Sequence, residues 1–108
     1  MTFDEYQKFA RSTAVYNSEL GAIYSALGLA GETGEVIEHV KKMARDDNRT
    51  PTPERVEKIR KELGDVLWYL ANLASDLGLD LEGVVSANID KINGRIARGT
   101  QHGSGDDR

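Results

Sequence analysis

Between Pro53 and Gly78, apolar residues recur at Val56, Ile59, Leu63, Val66, Leu67, Leu70, Leu73 and Leu77. Steps of three and four are the period of an α-helix, not of a strand. So long a one-sided stripe commits the chain to packing helix against helix. Its ends are marked as well. Thr52 is an expected N-cap, Pro53 suits the first helical position, and Glu54 places negative charge at the positive end of the helix dipole. Gly78 is a natural stop, because glycine enters the left-handed conformation without steric cost.

The same period runs through the rest of the chain. Phe3, Tyr6, Phe9, Ala10 and Thr13 predict a first helix over 2–16, with Thr2 and Glu5 spaced as a capping box. Asn17 and Ser18 then offer an N-cap for a second helix, from Glu19 to about Arg45. Its apolar or small face is Ile23, Leu27, Ala30, Gly34, Ile37, Val40 and Ala44. The polar run D-D-N-R-T-P-T-P, residues 46–53, is a loop, and each proline holds the residue before it extended. Asp80 caps a fourth helix from Leu81 to about Ala97, with Leu81, Val85, Ile89, Ile92 and Ile96 on its apolar side. The expected fold is all-α: a four-helix bundle in one domain over 1–98. Residues 99–108, glycine-rich and polar without periodicity, are expected to be a disordered tail.

A chain of 108 residues buries a thin core, so completion of that core by self-association is expected. The formal charge of −4 argues against stable nucleic-acid binding, which calls for a basic face. With no cysteine, thiolate metal sites and cysteine nucleophiles are excluded. The opening M-T-F-D-E-Y lacks a basic region followed by an apolar run, and no apolar run nears the ~20 residues of a membrane span. A cytoplasmic protein without membrane contact is the expectation.

Chemistry enters in the second helix, at G-L-A-G-E-T-G-E-V-I-E-H-V-K-K, residues 28–42. Glu32 and Glu35 stand at i and i+3, hence on one helix face with Cβ atoms about 5–6 Å apart. Glu62 and Asp65 repeat that spacing in the third helix. A lone pair of this kind is most simply a solvated face. Two pairs on facing helices repel each other unless something positive lies between them. Leu63, Val66 and Leu67 crowd the second pair toward the core, and basic residues at matching positions are too few to neutralise four acids. An oxygen-preferring divalent cation such as Mg²⁺, with Mn²⁺ as a substitute, answers that need. Gly28, Gly31 and Gly34 each cost about 1 kcal/mol in a helix interior. Either a neighbouring helix packs closely there, or a ligand or second backbone approaches near the carboxylates.

In this pairing the chain resembles a known family. G-E-T-G-E and K-E-L-G-D-V-L-W-Y-L are similar to the two halves of the MazG-type all-α nucleoside triphosphate pyrophosphohydrolase signature, E-x-x-E, a spacer, then E-x-x-D. Here 26 residues separate Glu35 from Glu62. The later A-N-I-D-K-I-N-G-R-I-A-R-G resembles the asparagine, lysine and arginine of the family's following helix. The resemblance spans roughly residues 3–99. It implies a MazG-like fold completed by dimerisation, sometimes as a dimer of dimers. It implies that Glu32, Glu35, Glu62 and Asp65 bind Mg²⁺, with Glu35 the candidate catalytic base. Asn88, Lys91 and Arg95 would contact the phosphates of a nucleoside triphosphate, cleaved between its α and β phosphorus atoms.

Other residues carry two readings each. Tyr69 and Trp68 are candidate nucleobase contacts, although Trp68 equally suits the core or a dimer interface. His39, one turn beyond Glu35, is a ligand, a donor to a ligand, or simply half exposed. Glu38 suits solvent, Tyr16 and Tyr24 suit packing, and Lys41 and Lys42 suit the negative end of a helix. Phosphoribosyl-ATP pyrophosphohydrolase is the nearest enzymatic alternative. A non-catalytic helical dimerisation or metal-binding module is the alternative of another class.

Overall fold

The computed structural model describes all 108 residues and contains four helices: α1 (Phe3–Ser12), α2 (Gly21–Asp46), α3 (Pro53–Asp76) and α4 (Leu81–Arg98). There is no strand. The local signals for α3 and α4 act as expected. Thr52 Oγ1 accepts from the Arg55 amide at 3.2 Å, and Asp80 Oδ1 accepts from the Gly83 amide at 2.6 Å. Gly78 has φ +73°, and the Leu79 amide reaches back to the Ala74 carbonyl at 2.8 Å. That bond closes the end of α3 and turns the chain into α4.

The first two helices are shorter at their shared boundary than expected. Thr2 and Glu5 form the capping box, but α1 ends at Ser12 rather than continuing to residue 16. Thr13 turns its hydroxyl onto the Ala10 carbonyl at 3.0 Å, competing with the next turn of helix. Asn17 and Ser18 do not cap α2. The Asn17 side chain instead accepts from the Glu19 amide at 2.9 Å, making a tight turn, and α2 begins at Gly21 behind Leu20.

α2 and α3 form an antiparallel hairpin, which is the main contact in the chain. Asp76 ties its far end together. The carboxylate accepts from Arg11 at 2.7 Å, Tyr16 at 2.7 Å and Ser25 at 2.8 Å, joining α1, the α1–α2 link and α2 to α3. Burial pushes the Asp76 carboxyl up, but these three donors outweigh it and hold its pKa below the ordinary value. Gln7 fastens α1 to the α3–α4 turn, donating to the Leu79 carbonyl at 2.9 Å and accepting from the Leu81 amide at 2.8 Å.

α4 leans on α1 rather than on the hairpin. The small core of Ala10, Ala71 and Leu81, flanked by Trp68 and Leu70, lies where α1, α3 and α4 meet. The radius of gyration is 16.7 Å, against about 13 Å for a compact chain of this size. The four helices therefore do not close on themselves. On α2, Ile23, Leu27 and Ile37 are 69%, 70% and 61% exposed, so the apolar face read from the sequence is present and uncovered. No helix is long and apolar enough to cross a membrane. Residues 99–108 contain turns and no helix, and Asp106 lies against Lys91 and Arg95 of α4.

Candidate metal centre

The hairpin brings Glu32 of α2 to Glu62 and Asp65 of α3. One carboxylate oxygen from each lies within 4.8 Å of the others. Glu32 and Glu62 are half-buried, while Asp65 is exposed. The Glu32 carboxyl is pushed above its ordinary value by burial first, then by the charges of Asp65, Glu62 and Glu35. Glu35 thus stands near enough to repel Glu32, but its carboxylate is exposed and outside the three-oxygen group. Three hard oxygen donors at mutual repulsion, with no lysine or arginine paired to any of them, fit a divalent cation of the Mg²⁺ type. Such a cation would relieve the strain that the raised Glu32 carboxyl records.

Two residues from farther along the hairpin support this cluster. His39 Nε2 lies 3.4 Å from Glu62 Oε1, and its Nδ1 lies 3.4 Å from Arg55 Nη1. Arg55 is paired with Asp47 of the α2–α3 loop at 2.7 Å. Sequence reading weighed His39 and missed Arg55 and Asp47. The signal was available: His39 follows Glu32 by seven residues and Arg55 precedes Glu62 by seven, which is two turns on the same face.

Tyr69 borders the cluster on its other side. Burial raises its hydroxyl pKa, followed by Tyr24 and then the charges of Glu32 and Asp65. Its ring stands against Gly28, so that glycine serves close packing; Gly31 and Gly34 face open space. Trp68 is edge-on to Tyr69 at 5.0 Å and donates its indole N–H to Thr13 at 2.9 Å. That bond ties Trp68 to α1. Asn72, on the same side of α3 by spacing, is fully buried and donates to the Ala10 and Trp68 carbonyls. Tyr6 of α1 feels Asp65 as well, its pKa raised by burial and then by that charge.

The α4 residues form a separate group. Asn88 and Lys91 line an open pocket of about 630 Å³ together with Leu79, Asp80 and Val84. Lys91 Nζ is 3.4 Å from Asp106 Oδ1, and the nearly buried Arg95 donates to the Asp106 carbonyl at 2.9 Å. No hydrogen bond or ion pair joins Asn88, Lys91 or Arg95 to the hairpin carboxylates.

An all-α chain whose central hairpin carries paired acids, fit for a hard cation, is the class these features define. Residues 24–99 match the MazG nucleotide pyrophosphohydrolase domain, and the chain belongs to that family. It is similar to the Gene 37 protein of Mycobacterium phage L5, with 41% identity over 114 aligned positions covering the whole of both chains. No solved structure matches the chain.

Proposed function

We propose that the chain is a Mg²⁺-dependent nucleoside triphosphate pyrophosphohydrolase, converting (d)NTP to (d)NMP and pyrophosphate and clearing nucleotides from the cytoplasmic pool. The observation that carries this reading is the convergence of Glu32, Glu62 and Asp65 in a member of a nucleotide pyrophosphohydrolase family. These three would hold the ion. A bound Mg²⁺ supplies positive charge for phosphoryl oxygens and lowers the pKa of coordinated water.

The remaining roles fall to the chain's own side chains. Glu35, exposed beside the cluster, is free of a basic partner and suits a group that orients water or takes its proton. Asn88 and Lys91 share a pocket with space for phosphate oxygens, apart from the hairpin acids, and Lys91 would stabilise charge on a substrate that reaches both. Arg95, nearly buried and sharing Asp106 with Lys91, is the less direct candidate for a phosphate contact. Tyr69, next to Glu32 and Asp65, is the better-placed aromatic for a nucleobase, since Trp68 is occupied by α1. A homodimer, or a dimer of dimers, would cover the exposed face of α2 and close the open bundle.

The test is a panel of canonical and modified nucleoside triphosphates, with phosphoribosyl-ATP included, incubated with Mg²⁺ and analysed by anion exchange. Monophosphate and pyrophosphate are the expected products. Diphosphate and orthophosphate would place the cleavage at the wrong bond. Turnover of phosphoribosyl-ATP alone would select that enzyme, and metal binding without turnover of any substrate would select the non-catalytic module.

A further inference from the structure

We infer that His39 and Arg55 are positioning residues for Glu62, fixing one of its carboxylate oxygens and leaving the other for the cation. This deepens the metal reading above and rests on it.

The geometry is a run of four side chains from the α2–α3 loop to the cluster: Asp47, Arg55, His39, Glu62. The Asp47–Arg55 pair is 2.7 Å long, and the two contacts of the imidazole are 3.4 Å each, at the long end of the hydrogen-bond range. All four are shielded, with side-chain exposures of 19%, 12%, 17% and 23% along the run. Arg55 is pinned at its other end, since Asp47 accepts from its Nε.

The chemistry of the two partners fixes the ring. A guanidinium has donors and no acceptor, so His39 Nδ1, facing Arg55, must accept. A neutral imidazole that accepts at Nδ1 carries its proton at Nε2, the atom that faces Glu62. Arg55 therefore selects the tautomer that donates to the carboxylate. Carboxylates that ligate a metal are commonly held by such outer hydrogen bonds.

An imidazole here does something a lysine would not: it aims a single N–H at Glu62 from a planar ring that Arg55 holds from the other side. The positive charge of the run sits one residue back, on Arg55, where Asp47 balances it. Simple packing of a half-buried histidine explains neither the guanidinium on one nitrogen nor the carboxylate on the other.

The experiment titrates Mg²⁺ and Mn²⁺, without nucleotide, into the full-length parent, His39→Gln, His39→Leu and Arg55→Met by calorimetry. Thermal melts of the metal-free chains run alongside. Glutamine offers an amide donor and a carbonyl acceptor on one side chain, so it can replace both contacts; leucine replaces neither. Metal affinity is expected to fall about 10–100-fold in His39→Leu, the usual effect of losing an outer partner, and to return to within a few-fold of the parent in His39→Gln. Arg55→Met should lower it in the same direction, and combining it with His39→Leu should add little. In turnover assays the Mg²⁺ concentration needed for half-maximal rate should rise in His39→Leu and return toward the parent's in His39→Gln. Equal affinity in parent and His39→Leu overturns the proposal, and so does a His39→Gln chain as weak as His39→Leu. In both of those cases the metal reading stands. A parent that binds neither ion overturns the metal reading and this inference with it.

Discussion

The ring of Tyr69 fills the space where a Cβ on Gly28 would stand. This contact sets how closely α2 and α3 approach, one turn before Glu32. Gly28→Ala should displace the ring, and overpacking of this kind costs about 1–3 kcal/mol, more than the gain of about 1 kcal/mol in helix propensity. At Gly31 an added Cβ meets nothing within 4 Å, so the propensity gain stands alone. Thermal melts should place Gly28→Ala below the parent and Gly31→Ala above it.

Glu35 and Lys91 separate chemistry from binding. Glu35→Gln keeps the shape of an exposed side chain and should leave the fold intact while lowering turnover at least ~100-fold, the lower range for general acid–base catalysis. Lys91→Ala should weaken phosphate stabilisation and retain metal binding. Calorimetry with Mg²⁺ and steady-state kinetics on both variants distinguish the roles. Hydrolysis by Glu35→Gln at the parent rate would remove the carboxylate from the mechanism.

Leu27 is 70% exposed in the single chain, so Leu27→Glu has little intramolecular packing to lose. If a second copy covers this face, the variant buries a charge at the joint. Light scattering should report a dimer or larger for the parent at micromolar concentration and a monomer for Leu27→Glu. A monomeric parent would show that the face stays open.

Asp76 makes stability depend on pH in the acid range. Its pKa is held below the ordinary carboxylate value of about 3.9 by the donors from Tyr16, Ser25 and Arg11. A depressed folded pKa means that the unfolded chain takes up the proton first. The contribution is therefore complete above about pH 4 and fades as pH falls through the folded value. Asp76→Asn should cost about 1–3 kcal/mol near neutrality, by leaving charge-assisted donors unmatched. Its melting temperature should also fall less steeply than the parent's on acidification below pH 4.

The parts of this fold that depend on near neighbours are legible in the sequence. Thr2, Thr52, Asp80 and Gly78 mark helix ends because the groups they satisfy lie within a few residues. The all-α class follows from periodicity for the same reason. The end of α1 was not legible, because Thr13 and Asn17 each choose between helix and turn by contests that spacing does not decide. Asp76 reads as the last residue of a helix, whereas its partners Arg11, Tyr16 and Ser25 are 65, 60 and 51 residues away. At the site, the two acid pairs located the cluster, but spacing alone treats Glu35 as the equal of Glu32. The hairpin distinguishes them, turning Glu32 inward and leaving Glu35 exposed.

The clasp made by Gln7 has a consequence for the order in which the chain assembles. Its partners at Leu79 and Leu81 are 72 and 74 residues downstream, so this clasp closes only after the α3–α4 turn has been made. The α2–α3 hairpin, joined by a short loop, needs only local closure and can form while the C-terminal part of the chain is still being made. Until the α3–α4 turn emerges, α1 is held to α3 alone, through Gln7 on Ser75, Arg11 on Asp76 and the Asn72 bond to the Ala10 carbonyl. A nascent chain stalled before Leu79 would carry a formed hairpin with α1 held by α3 only, and emergence of the α3–α4 turn would close the Gln7 clasp and seat α4 in a single step.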